Sequence, residues 1–128
     1  MEHRVLIVDD ERGLVHALRQ TLRLEFPELQ VDAAYSGEEG LSRLAEAVYD
    51  LIIADVRMPG FDGLELVKGV RYLNPEVPII LVTGFGTDQV RDEAAQLGVK
   101  YFWEKPFTVA DLISAVNEFV VDKEIDRE

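Results

Sequence analysis

Short apolar runs rich in β-branched residues punctuate this chain, and helical periods fill the gaps between them. "RVLIV" (4–8), "LIIA" (51–54), "VPIILVT" (77–83) and "VKYFW" (99–103) show no alternation of apolar and polar residues. Such runs suit strands covered on both faces, the condition of a parallel sheet between helix layers. A further run, "LQVDAA" (29–34), is more amphipathic and is expected nearer an edge. Between the runs the period turns helical. Leu14, Leu18 and Leu22 repeat with Ala17 and Thr21 beside them, followed by Leu41, Leu44, Ala45 and Val48. Leu66, Val70 and Leu73 come next, then Val90, Ala94 and Leu97, and finally Leu112, Ala115, Val116 and Phe119. "SGEE" (36–39) reads as a capping box with Ser36 at the N-cap and Glu39 at the third helical position. Thr108 is a second N-cap, while Asn74-Pro75 and Gly98 are stop signals. A strand–helix unit repeated five times through right-handed crossovers makes an α/β fold with a parallel sheet.

Length and charge narrow the function. With 128 residues the chain suits one domain with a real core. Its 25 acidic and 13 basic side chains leave a formal charge of −12, a field that argues against direct nucleic-acid binding. Cysteine is absent, which removes disulfides and thiolate metal sites. No apolar run approaches the roughly 20 residues that span a bilayer. "MEHRVLIVDDERG" is too short in apolar content for a signal peptide, so a cytoplasmic location without a membrane partner is expected. Residues 1–121 read as the domain, and the charged 122–128 as a tail or the start of a linker.

In an open α/β sheet, ligands bind beyond the carboxyl ends of the strands, where the strand order reverses. Strand one ends in Asp9-Asp10 with Glu11 following, strand three in Asp55, and strand four in Thr83-Gly84; Lys105-Pro106 follow strand five. Taken singly, each has an ordinary reading: Asp9 or Asp10 as a helix cap, Asp55 as a turn-former, Thr83 as a strand residue, Lys105 as a surface lysine. Together they form a constellation. Crowded carboxylates repel unless a cation joins them or one takes a proton. Oxygen ligands without His or Cys select a hard cation, Mg²⁺ or Mn²⁺, and such a cation typically awaits a phosphate. The ammonium and hydroxyl would serve phosphoryl oxygens, and Gly84 leaves room and offers a backbone N–H. Asp55, on the middle strand, is the carboxylate best placed as nucleophile.

The stretches "LIVDDE" (6–11), "DLIIADVRMPGFDGLEL" (50–66), "PIILVTGFG" (78–86) and "LGVKYFWEKPF" (97–107) closely resemble the receiver domain of two-component response regulators, from residue 4 to about 120. The resemblance implies a flavodoxin-like, doubly wound sheet of order 2-1-3-4-5 flanked by five helices. It implies that Asp55 accepts a phosphoryl group from the phosphohistidine of a histidine kinase or phosphotransfer protein. It places Mg²⁺ on Asp10, Asp55 and the backbone carbonyl of Arg57, with Asp9 acting through water. Lys105 would pair with phosphoryl oxygens, and the Lys105–Pro106 bond would be cis. Thr83 would swing onto the phosphoryl group while Phe102 turns inward, reshaping the face of helix four, strand five and helix five. The implied partners are a downstream protein or a fused output domain, with a phosphorylation-dependent dimer as a further form. Phe102 stands where tyrosine is commonest and cannot offer a hydroxyl, and Trp103 stands at a usually aliphatic position. Two other functions compete. A dehalogenase-type phosphatase needs a second Asp two residues after the nucleophile, where this chain has Arg57. A degenerate receiver serving only as a docking module is opposed by the intact Asp9, Asp10, Asp55, Thr83 and Lys105.

Overall fold

The structure is a computed structural model that describes residues 3–84, 87–99 and 101–121. Its strands are β1 (Arg4–Val8), β2 (Gln30–Ala34), β3 (Leu51–Asp55), β4 (Ile79–Thr83) and β5 (Tyr101–Glu104), all parallel and ordered β2-β1-β3-β4-β5. The helices are α1 (Arg12–Glu25), α2 (Gly37–Glu46), α3 (Gly63–Leu73), α4 (Asp88–Gln96) and α5 (Val109–Val116), the last continuing as a π-helical turn over Asn117–Val121. From β1 the chain steps outward to β2, then returns across β1 to β3. The order therefore reverses between β1 and β3, and a crevice opens above their carboxyl ends.

Side chains alternate along each strand and so divide the core into two layers. Leu6, Val8, Ile52, Ala54 and Leu81 pack with Leu66, Val67 and Val70 of α3 and Ala94 of α4. Val5, Ile7, Ile53, Ile80 and Val82 pack with Val15, Leu18 and Leu22 of α1 and with Leu112, Ala115 and Val116 of α5. Cover on both faces explains why β3 and β4 bury all their residues.

Four sequence expectations shift. Strand five, read as a fully buried run from Val99, is an edge strand whose Tyr101, Phe102 and Trp103 are half-buried and whose Glu104 is exposed. Lys100 and the tail 122–128 lie outside the described residues. The buried stripe of α1 is Val15, Leu18 and Leu22, with Leu14 only partly covered and Ala17 exposed. The stripe read for the second helix overran it: α2 ends at Glu46, Ala45 is exposed, and Val48 is 79% exposed. α2 instead buries Gly37, where the Phe61 backbone and ring leave no room for a side chain, and Gly40, which sits tightly against Val8 and Leu66. Ser36 caps α2 by accepting the Glu39 N–H, but the Glu39 carboxylate accepts from Tyr35 and leaves the box open. Reciprocal boxes form at Thr108–Asp111 and at Asp62–Glu65.

Candidate functional site at the carboxyl end of the sheet

β1 and β3 are hydrogen-bonded neighbours that carry Asp9 and Asp55 to the same edge. Both side chains are 7% exposed. Each acid ties one oxygen to the backbone two residues on: Asp9 Oδ1 accepts the Glu11 N–H at 2.9 Å, and Asp55 Oδ1 the Arg57 N–H at 3.0 Å. The second oxygen of each faces one cation. Lys105 Nζ donates to Asp9 Oδ2 at 3.0 Å and to Asp55 Oδ2 at 3.1 Å, and reaches Glu11 Oε1 at 3.2 Å. The ammonium thus spans residues 50 and 96 positions away in sequence and holds like charges together.

The loop after β3 is shaped by glycine. Gly60 adopts φ +74°, a conformation that side chains resist. A Cβ on Gly63 would clash with the Asp55 carbonyl oxygen and the Val56 Cα, so only glycine lets α3 start against the end of β3. The Gly63 N–H bonds the Val56 carbonyl at 2.9 Å and closes the loop. Thr83 ends β4, one step past Val82, the register partner of Asp55, and its side chain is buried with the residue 1% exposed. Its carbonyl accepts the Lys105 N–H at 2.8 Å, and the Lys105–Pro106 bond that follows is cis. Gly84 is exposed, and open space surrounds the position its Cβ would take.

Asp10 falls elsewhere. It is exposed and lines an open cavity of about 560 Å³ with Arg57, Met58, Pro59 and Asp62, beside the Asp9–Asp55 pair. Among the described residues, the carboxylates whose oxygens gather within 4.8 Å are those of Asp9, Glu11 and Asp55. Sequence alone assigns Glu11 no role; its one signal is its place directly after the Asp-Asp pair. Phe102 packs on the α4 side of β5, whereas Tyr101 and Trp103 pack on the opposite layer. The Trp103 ring rests at 5.4 Å from that of Phe107.

Burial pushes the Asp55 carboxyl above its ordinary range, and the Arg57 amide and Lys105 pull it back. For Lys105, burial favours the neutral amine, but its hydrogen bonds to Asp9 and Asp55 outweigh that and hold its pKa above the usual lysine range. Lys105 is therefore a permanent positive charge near neutral pH. It can stabilise an anion, and it is ill suited to exchange protons.

The model of the response regulator receiver domain matches residues 5–117. The chain belongs to this family. A receiver domain is a phosphorylation-controlled signalling switch and not a metabolic enzyme. The chain is 38% identical over 111 residues to the C4-dicarboxylate transport transcriptional regulatory protein DctD of Rhizobium meliloti, covering 87% of this chain and 24% of that protein. It is 28% identical over 120 residues to sporulation initiation phosphotransferase F of Bacillus subtilis, covering 94% and 95%. This receiver spans about a quarter to a half of the length of several curated relatives, including 33% of YesN and 47% of ResD from Bacillus subtilis. Among solved structures, TrrA of Thermotoga maritima, in complex with Mg²⁺–BeF, is similar with TM-score 0.79 and 30% identity over 92% of this chain and 99% of that one. A receiver domain protein of Methanospirillum hungatei gives TM-score 0.90 at 26% identity, covering 98% and 99%. Among the described residues, no helix is long and apolar enough to cross a membrane.

Proposed function

We propose that this receiver accepts a phosphoryl group on Asp55 from the phosphohistidine of a histidine kinase or phosphotransfer protein. The observation that carries this reading is the half-buried Lys105 ammonium bridging the buried Asp9 and Asp55 carboxylates at 3.0 and 3.1 Å. A carboxylate oxygen of Asp55 attacks phosphorus, the P–N bond breaks, and its electron pair stays on the imidazole. The product is an acyl phosphate. Asp55 is poorly solvated, which favours attack, and the Arg57 amide fixes its orientation. Lys105 then exchanges its carboxylate partner for phosphoryl oxygens. Thr83 supplies a hydroxyl from the end of β4, the Gly84 N–H a further donor, and Phe102 follows inward.

The gathered carboxylates of Asp9, Glu11 and Asp55, with Asp10 and Arg57 lining the adjoining cavity, offer only oxygen donors, and among the described residues no His or Cys joins the gathered set, which fits a hard cation. We assign Mg²⁺, or Mn²⁺, to Asp10, Asp55 and the Arg57 carbonyl, on the cavity side, with Asp9 held through water. When bound, the cation adds positive charge against the phosphoryl oxygens. Lys105 neutralises the opposite side of the cluster, where Asp9 and Glu11 face it. That TrrA is found in complex with Mg²⁺–BeF supports a metal beside the phosphoryl site of this receiver. The reshaped face of α4, β5 and α5 would control a downstream protein or a fused output domain, and the short share of DctD and ResD that the chain covers supports fusion as one arrangement.

Incubation with Mg²⁺ and acetyl phosphate, read by intact mass, tests the reading. One added phosphoryl group is expected, lost in Asp55→Asn. An unchanged gain in that variant overturns the assignment. Mg²⁺ affinity, followed by the fluorescence of Trp103, should weaken in Asp10→Asn; equal affinity moves the metal away from Asp10.

A further inference from the structure

α4 buries one side chain, Ala94, and packs Val90 and Leu97 only in part. Two arginines make up for this thin apolar anchoring, one at each end. At the carboxyl end, the half-buried Arg71 of α3 donates from Nε to the Leu97 carbonyl at 2.8 Å and from Nη2 to that of Gly98 at 3.2 Å. Its Nη1 holds the Pro75 and Val77 carbonyls at 3.1 and 2.8 Å, so one guanidinium joins α3, the approach to β4 and the end of α4. Toward the amino end, Arg91 Nη2 meets Glu104 Oε1 at 2.8 Å, and the same guanidinium lies 4.6 Å from the centre of the Phe102 ring. Glu104 pairs in register with Thr83 and directly precedes Lys105.

We propose that Arg91 is a latch: by gripping Glu104 and covering Phe102 it holds the first half of α4 against β5, while Arg71 fixes the far end as a pivot. Each half of the grip is weak alone, since the ion pair is exposed and a cation over a phenyl ring gains little in water. Weakness suits a latch that must open. Inward movement of the Phe102 ring removes one of the two contacts, and the remaining surface ion pair is too weak to keep the helix in place. Arg91 is thus a positioning residue for the switch, acting through Phe102 and Glu104 and not on the phosphoryl group. The opening step rests on the reading that phosphoryl transfer to Asp55 reaches Phe102; the grip itself does not.

Hydrogen exchange by mass spectrometry on the full chain separates the two. In Arg91→Ala, amides of residues 88–93 should exchange about three- to tenfold faster, with Leu97 to Val99 unchanged. Arg91→Lys, which keeps the charge and loses the flat stacking surface, should fall between. Adding Glu104→Gln to Arg91→Ala should bring no further increase. Unchanged exchange at 88–93 in Arg91→Ala overturns the latch. Wild type treated with acetyl phosphate and Mg²⁺ should show the same local increase, and Asp55→Asn should not. If wild type gains the phosphoryl group and α4 does not loosen, the latch is a static tie and the proposal falls. If wild type gains no phosphoryl group, the functional reading fails instead, and the exchange of Arg91→Ala still decides the grip.

Discussion

β3 with α3 and β5 with α4 belong to one sheet and lie two strands apart, yet they are held in opposite ways. Every residue of β3 is buried, and α3 sinks Leu64, Leu66, Val67 and Val70 into the layer it covers. Its start is locked by the Asp62–Glu65 box and by the approach of Gly63 to the Asp55 backbone. β5 buries none of its residues fully, and α4 relies on Ala94 and on arginine hydrogen bonds. The difference separates tasks. A nucleophile and its counter-ion need fixed positions, which close packing supplies. A responding surface needs two arrangements of similar energy, which a thinly packed edge supplies.

The comparison breaks if the two regions cost the same to damage. Leu66→Ala removes a fully buried side chain and should lower unfolding free energy by about 2–5 kcal/mol in urea titration. Val90→Ala, on the half-covered face of α4, should cost under about 1 kcal/mol. Equal losses would mean that α4 is anchored as firmly as α3.

Arg71 comes next, because it is the one strong tie at the α4 end. Burial lowers its pKa, so its charge is held at some cost, and its return is hydrogen bonds to four carbonyls. Arg71→Met should destabilise by roughly 1–3 kcal/mol, with those carbonyls left short of donors. Arg71→Lys should recover only part, since an ammonium cannot span the same fork. A full recovery would make charge, and not geometry, the tie.

The rigid half was also the legible half. β1, β3 and β4 have two covered faces, so their runs are continuous and their last residues could be read off as site residues. Edges and helix faces were read less well for physical reasons. A strand with one free edge does not bury all of its side chains, so "VKYFW" overstated the cover on β5. Glycine carries no apolar signal, so the close approach of α2 through Gly37 and Gly40 is invisible in the pattern, whereas Leu41 and Leu44 do pack on the core and Ala45 and Val48 do not. Glu11, the N-cap before α1, and the half-buried Arg91 of α4 act through side chains that reach across space, and local sequence says nothing of their direction. Separating Asp10 from Asp9 likewise needs the turn geometry, because neighbours in sequence leave the strand end toward different sides.

A smaller effect sharpens the site itself. A bound cation stabilises only the folded state, so Mg²⁺ at ten times its dissociation constant should add about 1.4 kcal/mol. Chelator should remove that increment, and Asp55→Asn should diminish it at fixed Mg²⁺. An undiminished increment would place the metal away from Asp55.

The last prediction concerns sign more than size. With metal chelated, burial holds the Asp55 carboxyl above its ordinary 3.8, so the folded chain keeps a proton that the unfolded chain has released. Stability from this group therefore falls as pH rises from about 4 through the folded value. Asparagine cannot ionise, and Lys105 would still have Asp9 and Glu11 as partners. Asp55→Asn should thus be the more stable protein at pH 7 in chelator, and its advantage should shrink as pH falls through the folded Asp55 value toward about 4. Lys105 does not disturb this window. Its raised pKa adds stability that is present below the ordinary lysine value of about 10.4 and is lost only as pH climbs through the higher folded value. Urea midpoints from pH 3 to 8 for wild type and Asp55→Asn measure the difference. Parallel curves would mean that Asp55 ionises as freely as an exposed acid, and the closely packed end of β3 would then be no more desolvated than the open edge at β5.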